Sequence, residues 1–553
     1  VGEAAAVALR EAHAAIQRGE WRQAKTLAQQ SLAAAETPDA LEILGLACWW
    51  LSDIEMLFES RERAFRLYVD AGARQRAARM AIWLDWDYRA FRGAPAVAAG
   101  WLRRARRLLD GMPDRTEYGW LLMREADAQL ARNAEAAAVG AGAAAALGRQ
   151  YGDLDLAYTA LSLEGLALVA AGRVESGMQL LDEATAAVVA GDFRDRSQAG
   201  VTCCHLISAC ELVRDFDRAE QWCHRVREFC ETWDHPPLFA VCRTQYAGVL
   251  IASGRWHAAE QEVSSAITEL EAMRPGWIGL GILQLAELRR RQGRLDEAAT
   301  LFARVAASPT AWLGLGAIAL ERGHPVDAER HARRFLRRVS KGDHTARATA
   351  LELVTLAAAA APTPHVAAEA LDELETLAAA VGAPALLGSA RLARGIAMIL
   401  SNDIEAIATL EQAVGYFEQA GVGYDALRAQ MALATVLESR GQHDAANAEL
   451  DAVIRNGAAM GAESLVAQAR QRSARPPTSA KTVVPEFGLT ITARERDVLA
   501  LLVSGLTNRQ IAERLGLSQH TVHRHVANVF TKLGVSSRTA AVAAAIPLGI
   551  SAT

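Results

Sequence analysis

Lysine is almost missing from this 553-residue chain: Lys25, Lys341, Lys481 and Lys532 are the full set, and arginine carries the other basic charges. Aromatic residues make up only 6%, which leaves little from which to build large β-sheets. No run of 18 or more uncharged, strongly apolar residues occurs, which excludes a hydrophobic membrane-spanning helix, and no secretory signal opens the chain. A cytoplasmic location is therefore expected. The phosphate-loop pattern Gly-x-x-x-x-Gly-Lys-Ser/Thr is absent, so these residues are not expected to hydrolyse ATP. No Ser/His/Asp, Cys/His or paired-carboxylate constellation stands out, and no strand–helix alternation suggests a phospho-acceptor domain. The expectation is a protein that is not an enzyme and needs no cofactor.

What the chain has in abundance is Ala, Leu and Arg, all strong helix formers. Through residues 1–470 one pattern recurs: an apolar helix, a Gly or polar turn, then a second helix with Ala in its first turn. Gly19–Ala24, Gly93–Ala98, Gly254–Ala259, Gly293–Ala298, Gly323–Ala328 and Gly441–Ala446 are the clearest cases, and Gly172–Gly177 repeats the phase with Gly in the Ala slot. Weaker turns fall at Ser52, Arg132, Arg214, Pro362 and Ser401. Most spacings are 39 to 42 residues, with single steps of 33 and 30. Gly permits the left-handed backbone that ends a helix, and a small Ala lets the next helix pack closely. The expectation is an all-α superhelix of helical hairpins with a concave face that binds a protein or small effector.

Two clusters in this region admit a functional and a plain reading. Trp49, Trp50, Trp83, Trp86 and Trp101 would suit a ligand groove, although aromatics at helical spacing are more often core. Six of the seven cysteines lie between Cys203 and Cys242. Cys203 and Cys210 are two helical turns apart, as are Cys223 and Cys230, so facing helices could present thiols as a metal or redox site. The spacing fits no zinc-knuckle pattern, and buried Cys commonly serves as a small apolar residue.

A polar, Pro-containing stretch over 471–488 reads as a linker. Beyond it, residues 489–553 carry seven basic against three acidic residues, a net +4, which leaves −9 for the rest of a chain whose total is −5. That balance suits a module that meets phosphate. Thr492–Glu495 and Thr507–Gln510 are capping boxes, each opening a helix. The first buries Val498, Leu499, Leu501 and Leu502 and stops at Gly505; the second buries Ile511, Ala512 and Leu515. Gly516 makes a turn, Ser518 caps a third helix, and Val522, Val526, Val529 and Leu533 form its core stripe. A fourth helix is expected from Ser536 or Ser537 to just before Pro547. The central pair has helix-turn-helix spacing. His520, His523, Arg524 and Ala527 are left to face solvent, and Arg524 is the candidate for a bidentate contact to guanine. The amides at Ser518 are a candidate phosphate site.

The phrases Gly19-Glu20-Trp21-Arg22-Gln23-Ala24 and Gly293-Arg294-Leu295-Asp296-Glu297-Ala298 resemble tetratricopeptide turns, although the period here is near 40 rather than 34. The stretches Ile491–Leu499, Gly505–Ala512 and Ser518–Leu533 resemble the LuxR-type DNA-binding domain. Together they are similar to the C-terminal part of large ATP-binding LuxR-type activators, which implies an ATPase domain upstream; no such domain is present in these 553 residues. The resemblance implies double-stranded DNA as partner, with His525, Arg509 and Lys532 at phosphate. His520 and His523 stand where the family often has Lys. It also implies a homodimer on DNA through Thr539, Ala540, Val542, Ala543 and Ala544, and contact with RNA polymerase if the protein is an activator. A scaffold or adaptor working through the repeat groove is the alternative.

Overall fold

In the computed structural model the described residues are 3–233, 236–342, 344–474, 493–515, 517, 522, 525, 526, 529, 530, 532, 533, 535 and 538–545; for 226, 227, 229–233, 236–239, 493, 539, 540 and 543 the backbone alone is described. Helix follows helix from Glu3–Arg18 to Glu463–Ser473, and no strand occurs among the described residues. All twelve expected turns fall between two helices of a hairpin. Gly19, Gly93, Gly172, Gly254, Gly293, Gly323 and Gly441 take positive φ, as do Ser52 and Arg214. At the Ser401 turn the left-handed residue is Asn402, one position later.

The small residues after the turns have the expected cause. Ala24, Ala98, Ala259, Ala298 and Ala328 have no exposed surface. Gly177 replaces Ala because its helix, Val174–Ala190, meets Leu154–Ala170 backbone to backbone: a Cβ there would lie 2.5 Å from the Gly165 carbonyl oxygen and 2.9 Å from Val169 N.

The first helices of nearly all successive hairpins also touch one another, and so form the inner wall of the superhelix. Leu154–Ala170 is such a helix, apolar and buried on nearly every side, whereas outer helices such as Pro325–Leu336 bury one stripe only. Successive superhelical turns abut. Thr345 Oγ1 reaches the Ala170 carbonyl, and Arg274 donates to Ser52 Oγ and the Trp49 carbonyl, contacts separated by 175, 222 and 225 residues. Turn glycines take part: Gly172 abuts His344, Gly254 abuts Met460 and Gly293 abuts Ser464.

The array runs past the expected start of the linker. Glu463–Ser473 includes the first three residues assigned to it, because Arg472 bonds the Met431 carbonyl at 3.1 Å and Glu438 at 2.9 Å.

Inside the superhelix lies a charged chamber of about 430 Å³. Glu352 there pairs with Arg428 at 3.0 Å and Arg214 at 3.8 Å. Among the described residues Glu211 has the Gln284 amide alone, at 3.2 Å, and burial pushes its carboxyl up to about 8. Burial also holds Glu449 up at about 7. A folded-state value above the unfolded one means the folded chain binds the extra proton, so stability is lost as pH rises through it. His205, held down at about 4, acts in the opposite direction and only below its unfolded value. Between about pH 6.5 and about pH 8.5 the unfolding free energy should therefore fall by ~2–3 kcal/mol. Urea titrations at the two pH values check this, and Glu211→Gln should remove most of the difference.

Candidate nucleic-acid interface

The terminal domain is built on a small apolar cluster. Val498, Leu499, Leu501 and Leu502 of the helix Ala493–Val503 are buried, as expected, and Gly505 ends that segment at φ +82°. The second helix, Asn508–Leu515, opens with a complete capping box: Thr507 N donates to Gln510 Oε1 at 2.9 Å, and Gln510 N donates to Thr507 Oγ1 at 3.4 Å. Ile511 and Ala512 are buried on its inner side, and Leu517 N closes the following turn on the Ala512 carbonyl at 2.9 Å. Val522, Val526 and Val529 enter the same cluster from the third helix, with Leu533 partly buried beside them. The helix Arg538–Ala545 packs Ala541 and Ala545 onto the first. This is a helix-turn-helix core, assembled from the residues whose spacing called for it.

The basic residues divide into two groups. Arg494 donates to the Leu515 carbonyl at 2.8 Å, Arg538 bonds the Leu506 carbonyl, and Lys532 pairs with Glu495 at 2.6 Å. These three tie helices together. Glu495 holds Lys532 across the domain, and its expected partner Thr492 lies outside the described residues. Arg496, Arg509 and Arg514 are exposed; among the described residues Arg509 pairs with Glu513, at 3.1 Å, a surface contact of little energy. Ser518, His520, His523, Arg524 and Ala527 lie outside the described residues.

The profile of "Bacterial regulatory proteins, luxR family" matches residues 489–545. The spore germination protein GerE of Bacillus subtilis (strain 168) is 42% identical over 59 residues, a match covering 11% of this chain and 80% of GerE. The chain belongs to the luxR family of bacterial regulatory proteins. The probable transcriptional regulatory protein SgaR of Hyphomicrobium methylovorum is 44% identical over 81 residues, 15% of this chain and 38% of SgaR. The transcriptional regulatory protein LnrK of B. subtilis is 44% identical over 67 residues, 12% of this chain and 30% of LnrK. This luxR-family chain thus spans well under half the length of those two relatives. Among solved structures, Cut9–Hcn1 of the APC/C aligns over 83% of this chain and 95% of that chain, at 11% identity and TM-score 0.34. Yeast Tom70 aligns over 79% of this chain and 96% of that one, at 13% identity and TM-score 0.31. The hairpin superhelix stands on the packing of this chain's own helices.

Within the luxR-family domain, Val542 and Ala544 of the expected dimer helix are half-buried in the single chain. The side chains of Thr539, Ala540 and Ala543 lie outside the described residues. His525, expected at phosphate, is turned toward the array: it is 8% exposed, with Nε2 3.5 Å from Glu411 Oε2, and Glu411 is 2% exposed. Glu411 belongs to Ala406–Gln419, and nothing in its sequence context marks it as a partner of the terminal domain.

Cys210 and Cys223 enter one apolar cluster, while Cys203 and Cys242 enter another, and Cys230 lies outside the described side chains. Burial pushes the Cys210 thiol far up, away from thiolate chemistry. No group of His, Cys, Asp and Glu suited to a metal occurs among the described residues. Cys203, Cys210, Cys223 and Cys242 are buried, and the thiol cluster expected from the spacing, which includes Cys230, lies partly outside the described residues.

Proposed function

We propose that this protein is a sequence-specific transcriptional regulator, in which the terminal domain binds double-stranded DNA as a homodimer and the helical array senses an effector. The observation that carries the reading is the capped helix-turn-helix core, with Val522, Val526 and Val529 packed on Ile511 and Ala512, in a chain of the luxR family. The net +4 of residues 489–553 on a body of −9 supports it, since phosphate contact supplies most of the nonspecific affinity for DNA. On family resemblance the sign of regulation is activation, with RNA polymerase as partner and the cytoplasm as the place of action. No helix among the described residues is long and apolar enough to cross a membrane.

The test is selection of bound genomic fragments by the purified chain at physiological salt, followed by footprinting. A bounded, two-fold symmetric footprint is the expected result. Binding that ignores sequence and vanishes with modest added salt would sink the regulator and leave a scaffold working through the groove. At the recovered site Arg524→Ala should weaken binding by ~1–3 kcal/mol and relax the requirement at one base pair. Unchanged affinity and specificity would remove Arg524 from the contacts.

A further inference from the structure

The concave wall holds an aromatic chamber of about 190 Å³ between the first helices of the third to sixth hairpins. Trp83, Trp86 and Trp120 line it, with Trp83 and Trp120 centred 6.4 Å apart. These rings already receive cations: Arg61 lies over Trp83 at 5.1 Å and Arg124 over Trp86 at 3.9 Å. Glu117, Asp153, Asp155 and Asp195 also line the chamber, and none of the four forms an ion pair among the described residues. Its two arginines are engaged elsewhere, Arg79 with Glu42 at 2.7 Å and Arg124 with Asp85 and Asp127.

Helix capping accounts for part of this but not for the charge. Asp153 accepts from Leu156 N and Trp120 Nε1, Asp195 accepts from Ser197 N, and Asp155 accepts from the Arg194 and Asp195 amides. A neutral Asn or Ser caps as well as Asp, so the amides require oxygens and not anions. Two helix N-termini supply about half a positive charge each, which offsets only about one of the four carboxylates. An independent sign comes from Gln198, which lines the chamber at 2% exposure and whose Oε1 has no hydrogen-bond partner among the described residues. A second chamber of about 280 Å³ shares Trp86, Met123 and Arg124 and gives a ligand's body room to extend.

We propose that this chamber binds a small organic cation, an amine or quaternary ammonium with an apolar body, its charge facing Asp155, Glu117, Asp153 and Asp195 and its body against Trp83, Trp86 and Trp120. This deepens, and rests on, the reading of the array as the effector-binding part. Burial, with Asp195 and Asp153 adding repulsion, pushes Asp155 up to about 6. Facing it are acidic Glu117, Asp153 and Asp195; Arg61, Arg79 and Arg124 lie nearby and are already paired. A cation holds Asp155 ionised, so its affinity falls as pH drops through that value.

The test titrates the full-length chain with tetramethylammonium, phenethylamine and agmatine near neutral pH, reading tryptophan fluorescence and melting temperature, with phenethyl alcohol as the neutral control. At least one cation should bind saturably and the alcohol should not. Asp155→Asn keeps an acceptor for the Arg194 and Asp195 amides and removes a half-buried charge that has no ion pair among the described residues. It should raise the melting temperature of the free chain while weakening the amine about tenfold or more. Glu117→Gln should weaken it in the same sense and serves if the first variant misfolds. No binding by any of the three cations below about 10 mM, or equal binding by both variants, overturns the site. Operator affinity is read separately. A chain that binds amine with no change at its operator keeps the site and loses the sensor, whereas one that binds operator but no amine keeps the regulator and loses the site.

Discussion

Glu411→Ala should tighten operator binding by the full-length chain about tenfold or more. His525 sits on the helix that carries Val522 and Val526, the helix that a helix-turn-helix domain lays against DNA, yet it is buried against Glu411 of the array. Both cannot hold at once: a groove-bound helix needs the surface around His525 free. On the proposed reading, the closed form with this contact must give way to an open, DNA-competent form. Removing one partner of a buried polar pair leaves the other buried without it, which costs the closed form ~1.5–3 kcal/mol, about ten- to hundredfold in the closed-to-open ratio. Apparent affinity rises by that factor until the open form predominates. Two controls separate this from a general charge effect. Glu405→Ala, an exposed acid six residues before Glu411, should change little, because water and salt screen an exposed charge. The isolated 485–553 fragment should bind at least as tightly as the Glu411 variant. Equal affinities for the parent chain, the variant and the fragment would remove the contact from regulation.

Much of this architecture was legible because its causes are local. Most hairpin turns need a residue tolerant of positive φ and, five positions on, a side chain small enough for close approach, so Gly19 with Ala24 or Gly293 with Ala298 announces itself at a fixed spacing. The Thr507–Gln510 box is likewise contained in four residues. The turn at Pro362 was harder: it is an extended connection without a left-handed residue, placed only by its period. Contacts between superhelical turns carry no such mark. Nothing near Glu411 or Arg274 in sequence names His525 or Trp49 as a partner. The tryptophans show the same limit: Trp49 and Trp50 are core, whereas Trp83 and Trp86 line a chamber, and helical spacing alone does not say which side of a helix meets the lumen. Cys203 and Cys210 lie two turns apart on one helix, but that helix feeds them into two separate cores.

Arg274→Ala should produce the largest loss of stability among the substitutions considered. Its guanidinium is wholly buried, donates to Ser52 Oγ and the Trp49 carbonyl at 2.7 Å each, and stacks on Trp49 and Phe91 at 4.6 and 4.2 Å. The acceptors are the C-terminal end of Pro38–Leu51, where a helix dipole favours a cation. Burial lowers its pKa to about 9, so it remains charged at neutral pH, and its charge also supports Asp87, which is fully buried beside Arg61. Truncation leaves a cavity, an unmet carbonyl and a buried carboxylate with less positive charge around it, a combination that costs ~3–5 kcal/mol. In a repeat array that cost falls on an interface rather than on the whole chain, so the early hairpins should melt separately, ahead of the rest. The next residues make the consequence wider: Gly276 abuts the carbonyls of Arg89 and Ala90, and Trp277 meets Trp86 edge-on at 5.9 Å in the wall of the second chamber. Loss of Arg274 should thus loosen the turn-to-turn seal, raise the radius of gyration by small-angle scattering, and weaken amine binding without removing any of the four carboxylates. Arg274→Met, which keeps volume and stacking but not the charge, should fall between parent and Ala. A single unchanged transition with an unchanged radius would mean that Arg274 does not hold the superhelical turns together.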